Sequence, residues 1–131
     1  METITIPLKT TGRHQLQPVT ALVVQAIQQR GWCDGVLTIF VPHTTAAVTV
    51  NENADPDVAR DMTGFWDQLV PNVPTFRHAE GNTPAHILSS LVGCSLQLLV
   101  VNGTLVLGTW QGVYFCEFDG PRTRTMVLGF Q

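Results

Sequence analysis

Three imidazoles, His43, His78 and His86, stand among hydroxyls, amides and carboxylates in a chain otherwise poor in charge. His43 opens the run His43-Thr44-Thr45, and His78 opens His78-Ala79-Glu80-Gly81-Asn82. Between them lies Asn51-Glu52-Asn53-Ala54-Asp55-Pro56-Asp57. Neutral imidazoles and carboxylates converging from separate elements could hold a divalent metal, and the same groups could move protons. The plainer reading is that each histidine only ends a strand or bonds a loop, while Asp55 and Asp57 serve as helix-capping residues. His78 and His86 also lack the i, i+4 spacing of a metal-binding helix. Spacing alone leaves both readings open.

A second concentration is Gly108-Thr109-Trp110-Gln111-Gly112, whose glycines suggest a bulge or a close backbone approach. Trp110 is expected in the core, with a wall for a flat ligand as the other reading. Arg122 and Arg124 lie two apart and would share a strand face. They could grip a phosphate or carboxylate bidentately, or pair with Glu117 or Asp119.

These groups need elements to position them. Residues 3–8 alternate with period two and predict a strand. A helix is expected from about Pro18 to Arg30, with Pro18 in its first turn and Gly31 ending it. Strand signals cover 36–41 and 46–50. A second helix opens with Asp55 as N-cap and Pro56 at N1, with Val58, Met62, Phe65, Trp66 and Leu69 on its apolar face. Pro71 and Pro74 stop it. A third opens with Thr83 as N-cap and Pro84 at N1, turns Ile87, Leu88 and Leu91 inward and ends at Gly93. His86 would then sit at N3, where the helix dipole favours its neutral form. Asn102-Gly103 between 96–101 and 104–107 is a type I′ hairpin signal. Residues 113–118 and 123–130 read as a further pair around Asp119-Gly120-Pro121. The order predicts an α+β fold in one domain over residues 1–131, mostly antiparallel, with about three helices.

Composition narrows the function classes. Charged residues make up 13% of the chain, about half the ~25% of typical soluble domains. A face buried against copies of the chain is therefore expected. A net charge of −3 argues against a general nucleic-acid binder. The single lysine, Lys9, follows no glycine-rich loop, and the three serines lie in no nucleophile elbow. No wholly apolar run exceeds four residues, as in Leu98–Val101, so no membrane span is expected. Without a basic-then-apolar leader, and with Cys33, Cys94 and Cys116 unpaired by motif, a reducing cytoplasm is expected, with two of the thiols in the core.

Taken together, these stretches resemble the YjbQ-like family. The resemblance runs through His43-Thr44-Thr45-Ala46-Ala47, Asn51-Glu52-Asn53, Asp55-Pro56-Asp57 and His78-x-Glu80-Gly81-Asn82 with His86. It continues through Gly108-Thr109-Trp110-Gln111-Gly112, Glu117 and Asp119-Gly120-Pro121-Arg122-x-Arg124, covering nearly the whole chain in order. It implies a homotrimer and a histidine-rich pocket able to hold a divalent metal, zinc or magnesium. It also implies similarity to proteins with a weak secondary thiamine-phosphate synthase activity, which joins a pyrimidine diphosphate to a thiazole phosphate. On that basis His43, His78 and His86 are the candidate metal ligands, and Glu52, Asp55 and Glu80 the candidate catalytic or supporting carboxylates. Thr44, Asn51, Asn82, Trp110, Gln111, Arg122 and Arg124 are the candidate substrate contacts. The alternative is a non-catalytic trimeric module that binds a metal or ligand.

Overall fold

The computed structural model describes residues 1–131. Its elements are β1 (Glu2–Lys9), β2 (Gln15–Pro18), α1 (Thr20–Arg30), β3 (Gly35–Phe40), β4 (Ala46–Glu52), α2 (Pro56–Leu69), α3 (Thr83–Val92), β5 (Ser95–Val101), β6 (Thr104–Leu105), β7 (Gln111–Glu117) and β8 (Thr123–Phe130). Every strand pair is antiparallel. One sheet has the order β1-β8-β3-β5-β6, and the other β2-β7-β4. The α+β expectation holds.

Alternation along the strands builds two apolar layers. Leu37, Ile39, Val100, Met126 and Leu128 of the five-stranded sheet are buried against Val23, Ala26 and Ile27 of α1 and against Val48, Val113 and Phe115 of the three-stranded sheet. The opposite face of that smaller sheet, through Leu16, Ala47, Tyr114 and Cys116, packs on Trp66 of α2 and on Ala85 and Leu88 of α3. The molecule is thus a large sheet, then a small sheet with α1 beside it, then α2 and α3.

Several local expectations change. Pro18 ends β2 instead of opening α1, which starts at Thr20. The short strand at 15–18 carries no clear alternation and was not anticipated. The expected pairing of 113–118 with 123–130 does not form, because β7 and β8 lie in different sheets. The connection at 118–122 crosses between layers, and its Gly120 is forced by crowding: a Cβ there would collide with the backbone oxygen of Gly12 and approach Thr10 Oγ1 to 2.9 Å. The Asn102-Gly103 hairpin forms as expected, with φ of 50° and 72°, although β6 ends at Leu105.

Asp55 caps α2 by accepting from the Asp57 N–H at 2.9 Å, but the apolar stripe is only partly covered. Trp66 is buried, while Phe65, Leu69 and, on α3, Leu91 are exposed. Trp110 is 63% exposed, so the core reading fails. Of the thiols only Cys116 is buried, its pKa pushed up to about 12 by that burial; Cys33 and Cys94 are exposed. No helix is long and apolar enough to cross a membrane.

Candidate functional site

The three histidines do meet at one place. His43, His78 and His86 line a cleft of about 410 Å³ together with Thr44, Thr45, Glu80, Asn82, Arg122 and Arg124, and Pro42 is the remaining lining residue. The walls come from the β3–β4 connection, the loop before α3, the first turns of α3, and the start of β8 with the connection leading into it.

The way β3 ends explains how His43 is held. Phe40 pairs with Val127, and continuing that register would set Pro42 opposite Thr125. Proline has no N–H to donate, so the ladder stops. The His43 imidazole takes over: its Nε2 accepts from the Thr125 backbone N–H at 3.0 Å. The same Nε2 lies 3.2 Å from the Thr125 carbonyl oxygen, so the Thr125 backbone holds the ring whichever nitrogen carries the proton. Burial and then the Arg124 charge lower the His43 pKa, against weaker opposing effects of Thr125 and Glu117. His43 is therefore a fixed, neutral group.

His78 and His86 face each other edge to plane, with ring centroids 5.3 Å apart. His86 lies one position further into α3 than expected, because the helix starts at Thr83 with Asn82 in the cap position. The Asn82 side chain does not cap the helix. Its amide instead donates to Asp119 Oδ2 at 2.8 Å and more weakly to Glu80 at 3.4 Å. Its Oδ1 is buried without a hydrogen-bond partner.

The two arginines have different roles. Arg122 is half-exposed and donates through Nε to the Asp119 carbonyl and through Nη2 to Asp119 Oδ2, each at 2.8 Å. Arg124 is buried and binds Glu117 through Nε and Nη2, while Nη2 also reaches Thr45 Oγ1 at 2.8 Å. Burial pushes the Glu117 carboxyl up, but Arg124, Thr10 and the Asp119 N–H outweigh it and hold the pKa below its ordinary value. Asp119 is likewise raised by burial and lowered further by Asn82 and Arg122, with a net downward shift. The ion-pair reading of both arginines is the one observed, and bidentate capture of a ligand by the Nε–Nη2 edges is blocked.

The other candidates lie elsewhere. His43, Thr44 and Thr45 precede β4, whereas Asn51, Glu52 and Asp55 lie at or beyond its far end, which at ~3.3 Å per residue is roughly 20 Å away. Asn51 Oδ1 accepts from the Glu52 N–H, Glu52 Oε2 accepts from the Ala54 N–H, and Asp55 caps α2. Gln111 ties its own turn by accepting from the Gly108 N–H. None of these, nor Trp110, lines the cleft. The sequence reading also missed Thr10, whose hydroxyl donates to Glu117 at 2.7 Å; a threonine just beyond a strand gives no signal of such a contact.

No group of three or more histidine, cysteine, aspartate or glutamate side chains is close enough to coordinate one ion. His78 and His86 are neighbours, whereas His43 does not come close enough to join them around one ion. As arranged, the residues do not form a three-ligand centre.

The two sheets, the helices and the histidine cleft define a class of small α+β protein, and comparison identifies it. The chain belongs to the UPF0047 protein YjbQ-like family, whose model matches residues 4–131. It is 52% identical over 125 residues to the UPF0047 protein YugU of Bacillus subtilis, covering 95% of each chain. It is 50% identical over 117 residues to the UPF0047 protein MJ1081 of Methanocaldococcus jannaschii, covering 89% of this chain and 85% of that one. The crystal structure of a YjbQ/UPF0047 family protein from Clostridium acetobutylicum superposes with a TM-score of 0.93 at 48% identity, covering 98% of this chain and 99% of that one. The hypothetical protein APE1520 from Aeropyrum pernix gives a TM-score of 0.93 at 40% identity, covering 100% and 98%.

Proposed function

We propose that the histidine cleft is the active site of a cytoplasmic enzyme acting on a small phosphorylated or heterocyclic substrate. The reaction class is transfer of the thiamine-phosphate synthase kind, joining a pyrimidine diphosphate to a thiazole phosphate. The observation that supports this reading is the convergence of His43, His78 and His86, separated in sequence, on one cleft whose lining residues other than Pro42 all carry polar side chains.

In this reading His78 and His86 exchange protons with the substrate, since adjacent rings can divide acid and base roles. Glu80 orients one of them, and the cationic side of the cleft stabilises charge on the departing diphosphate. A divalent metal, zinc or magnesium, would supply Lewis-acid stabilisation of the same charge. Its protein donors would be His78 and His86, and His43, drawn closer, could offer Nδ1 while Nε2 keeps its Thr125 contact.

The same reading includes a homotrimer. Phe40, Leu99 and Val101 project from the outer face of the five-stranded sheet and are 41%, 56% and 47% exposed. Such a run of apolar side chains on a chain this low in charge suits a subunit contact.

The deciding experiment incubates purified protein with the pyrimidine diphosphate and thiazole phosphate and follows product formation. His78→Ala and His86→Ala are expected to lower the rate by at least about tenfold, the lower range for loss of a general acid or base. Equal rates for wild type and both variants would remove the enzymatic reading.

A further inference from the structure

We propose that a second cavity, distinct from the histidine cleft, is a binding site for a small organic cation bearing N–H donors, an amine or an amidine. Its volume is about 210 Å³. Arg13 and His14 of the β1–β2 connection, Asp67 of α2, Glu80 and Asn82 of the loop before α3, and Asp119 of the β7–β8 connection form its polar walls. Glu80 and Asn82 also line the cleft, so the two cavities adjoin. The site stands whatever reaction the cleft performs.

His14 and Arg13 set the charge of this cavity. The His14 side chain is 11% exposed and lies edge-on to Trp66, with ring centroids 5.4 Å apart. A guanidinium has no acceptor, so in the 3.1 Å contact between Arg13 Nη1 and His14 Nε2 the arginine donates. Burial and then the Arg13 charge lower the His14 pKa, against weaker opposing effects of Asp67, the Thr63 backbone and Asp119. The ring is therefore neutral. Arg13 is the only lysine or arginine among the lining residues, which include three carboxylates. Its Nη2 is already bound to Asp67 Oδ2.

Acceptors are left over. Arg13 donates to Asp67 Oδ2, and Asn82 and Arg122 both donate to Asp119 Oδ2, so Oδ1 of each carboxylate carries no hydrogen bond. Glu80 holds only a 3.4 Å contact with the Asn82 amide. A second and independent observation is the neutral Asn82 Oδ1, an acceptor buried without a hydrogen-bond partner. Such an atom costs free energy until a donor reaches it. Turning the amide over would set that oxygen against Asp119 Oδ2, which now accepts from Nδ2 at 2.8 Å, so the orientation is fixed. An excess of acceptors and of negative charge fits an ammonium or amidinium group and disfavours an anion.

Calorimetric titration of the intact protein with benzamidine, a cation, and with benzamide, its neutral isostere, tests the site. Benzamidine should bind, and benzamide should bind at least about tenfold more weakly, the equivalent of one charge-assisted hydrogen bond. In NMR spectra benzamidine should move the ring signals of His14 and leave those of His43, which lies outside this cavity, in place. Asp67→Asn removes a carboxylate and leaves Arg13 unpaired, and should weaken benzamidine binding by about tenfold. A thermal melt checks folding. If Asp67→Asn fails to fold, Glu80→Gln decides by the same measure. No benzamidine binding by wild type overturns the proposal, as does equal binding of benzamide or unchanged binding by the folded variant. A shift at His43 in place of His14 also overturns it, because the ligand would then sit in the histidine cleft.

Discussion

Glu117 of β7 and Arg124 of β8 bind one another across the boundary between the two sheets, with Arg124 Nε 2.9 Å from Glu117 Oε1. The carboxylate is fully buried and the arginine nearly so. Removing one partner strands the other charge. Glu117→Ala is expected to cost roughly 3–5 kcal/mol of unfolding free energy, the range for breaking a buried pair. Replacing both, with Glu117→Leu and Arg124→Met, should recover most of that loss in urea denaturation. A Glu117→Ala variant as stable as wild type would show that the pair contributes little.

Acid should weaken the fold through His43. Its folded-state pKa lies below the ordinary imidazole value of about 6.5, chiefly because of burial and Arg124. The unfolded chain therefore binds a proton first as pH falls. The stability contributed by the neutral ring is fully present above about pH 6.5 and is lost as pH drops through the lower folded value. His14 shifts in the same direction, with burial as the main cause, followed by Arg13. Melting temperatures measured from pH 8 to pH 5 should fall less steeply for His43→Gln than for wild type. Parallel curves would assign the acid sensitivity to other groups.

Metal binding separates the three histidines. Because only His78 and His86 stand side by side, titration with zinc followed by elemental analysis should show loss of bound metal in His78→Ala and in His86→Ala. His43→Ala should lose less, since His43 is not close enough to share one ion with the other two. Equal loss in all three variants would mean that His43 moves in to join the ion. Unchanged content in all three would remove the metal from this site.

Assembly is testable through the outer sheet face. Light scattering should give three times the subunit mass of 14.3 kDa. Leu99→Asp, on a residue 56% exposed in the single chain, should shift the protein towards monomer without lowering its helix content. A wild-type monomer would exclude the trimer.

The parts of the fold that were legible in the sequence are those set by neighbours along the chain. Asp55-Pro56 marked the start of α2 and Asn102-Gly103 the β5–β6 hairpin, because caps and tight turns depend on a few local dihedrals. The separation of β7 from β8 was not legible. A turn-like Asp119-Gly120-Pro121 sequence looks the same whether the chain doubles back in one sheet or crosses between two, and only packing on the loop around Gly12 decides it. The site divided in the same way. His43, His78 and His86 stood at element ends and do share a cleft. Asn51, Glu52 and Asp55 seemed equally promising but serve their own strand end and helix cap. The difference between Arg122 and Arg124 depended on Thr10, Thr45 and Glu117, three positions that only tertiary structure brings together.

The pairing of β1 with β8 has a consequence for synthesis. Glu2 lies opposite Phe130, so the early strand at the edge of the large sheet waits for nearly all of the rest of the chain. Arg124 enters the cleft from β8 as well. A ribosome-bound fragment lacking β8 would have its histidines in place along the chain but neither the Thr125 backbone that fixes His43 nor the guanidinium beneath the cleft. The cleft is thus complete only once β8 has been made and has paired with β1.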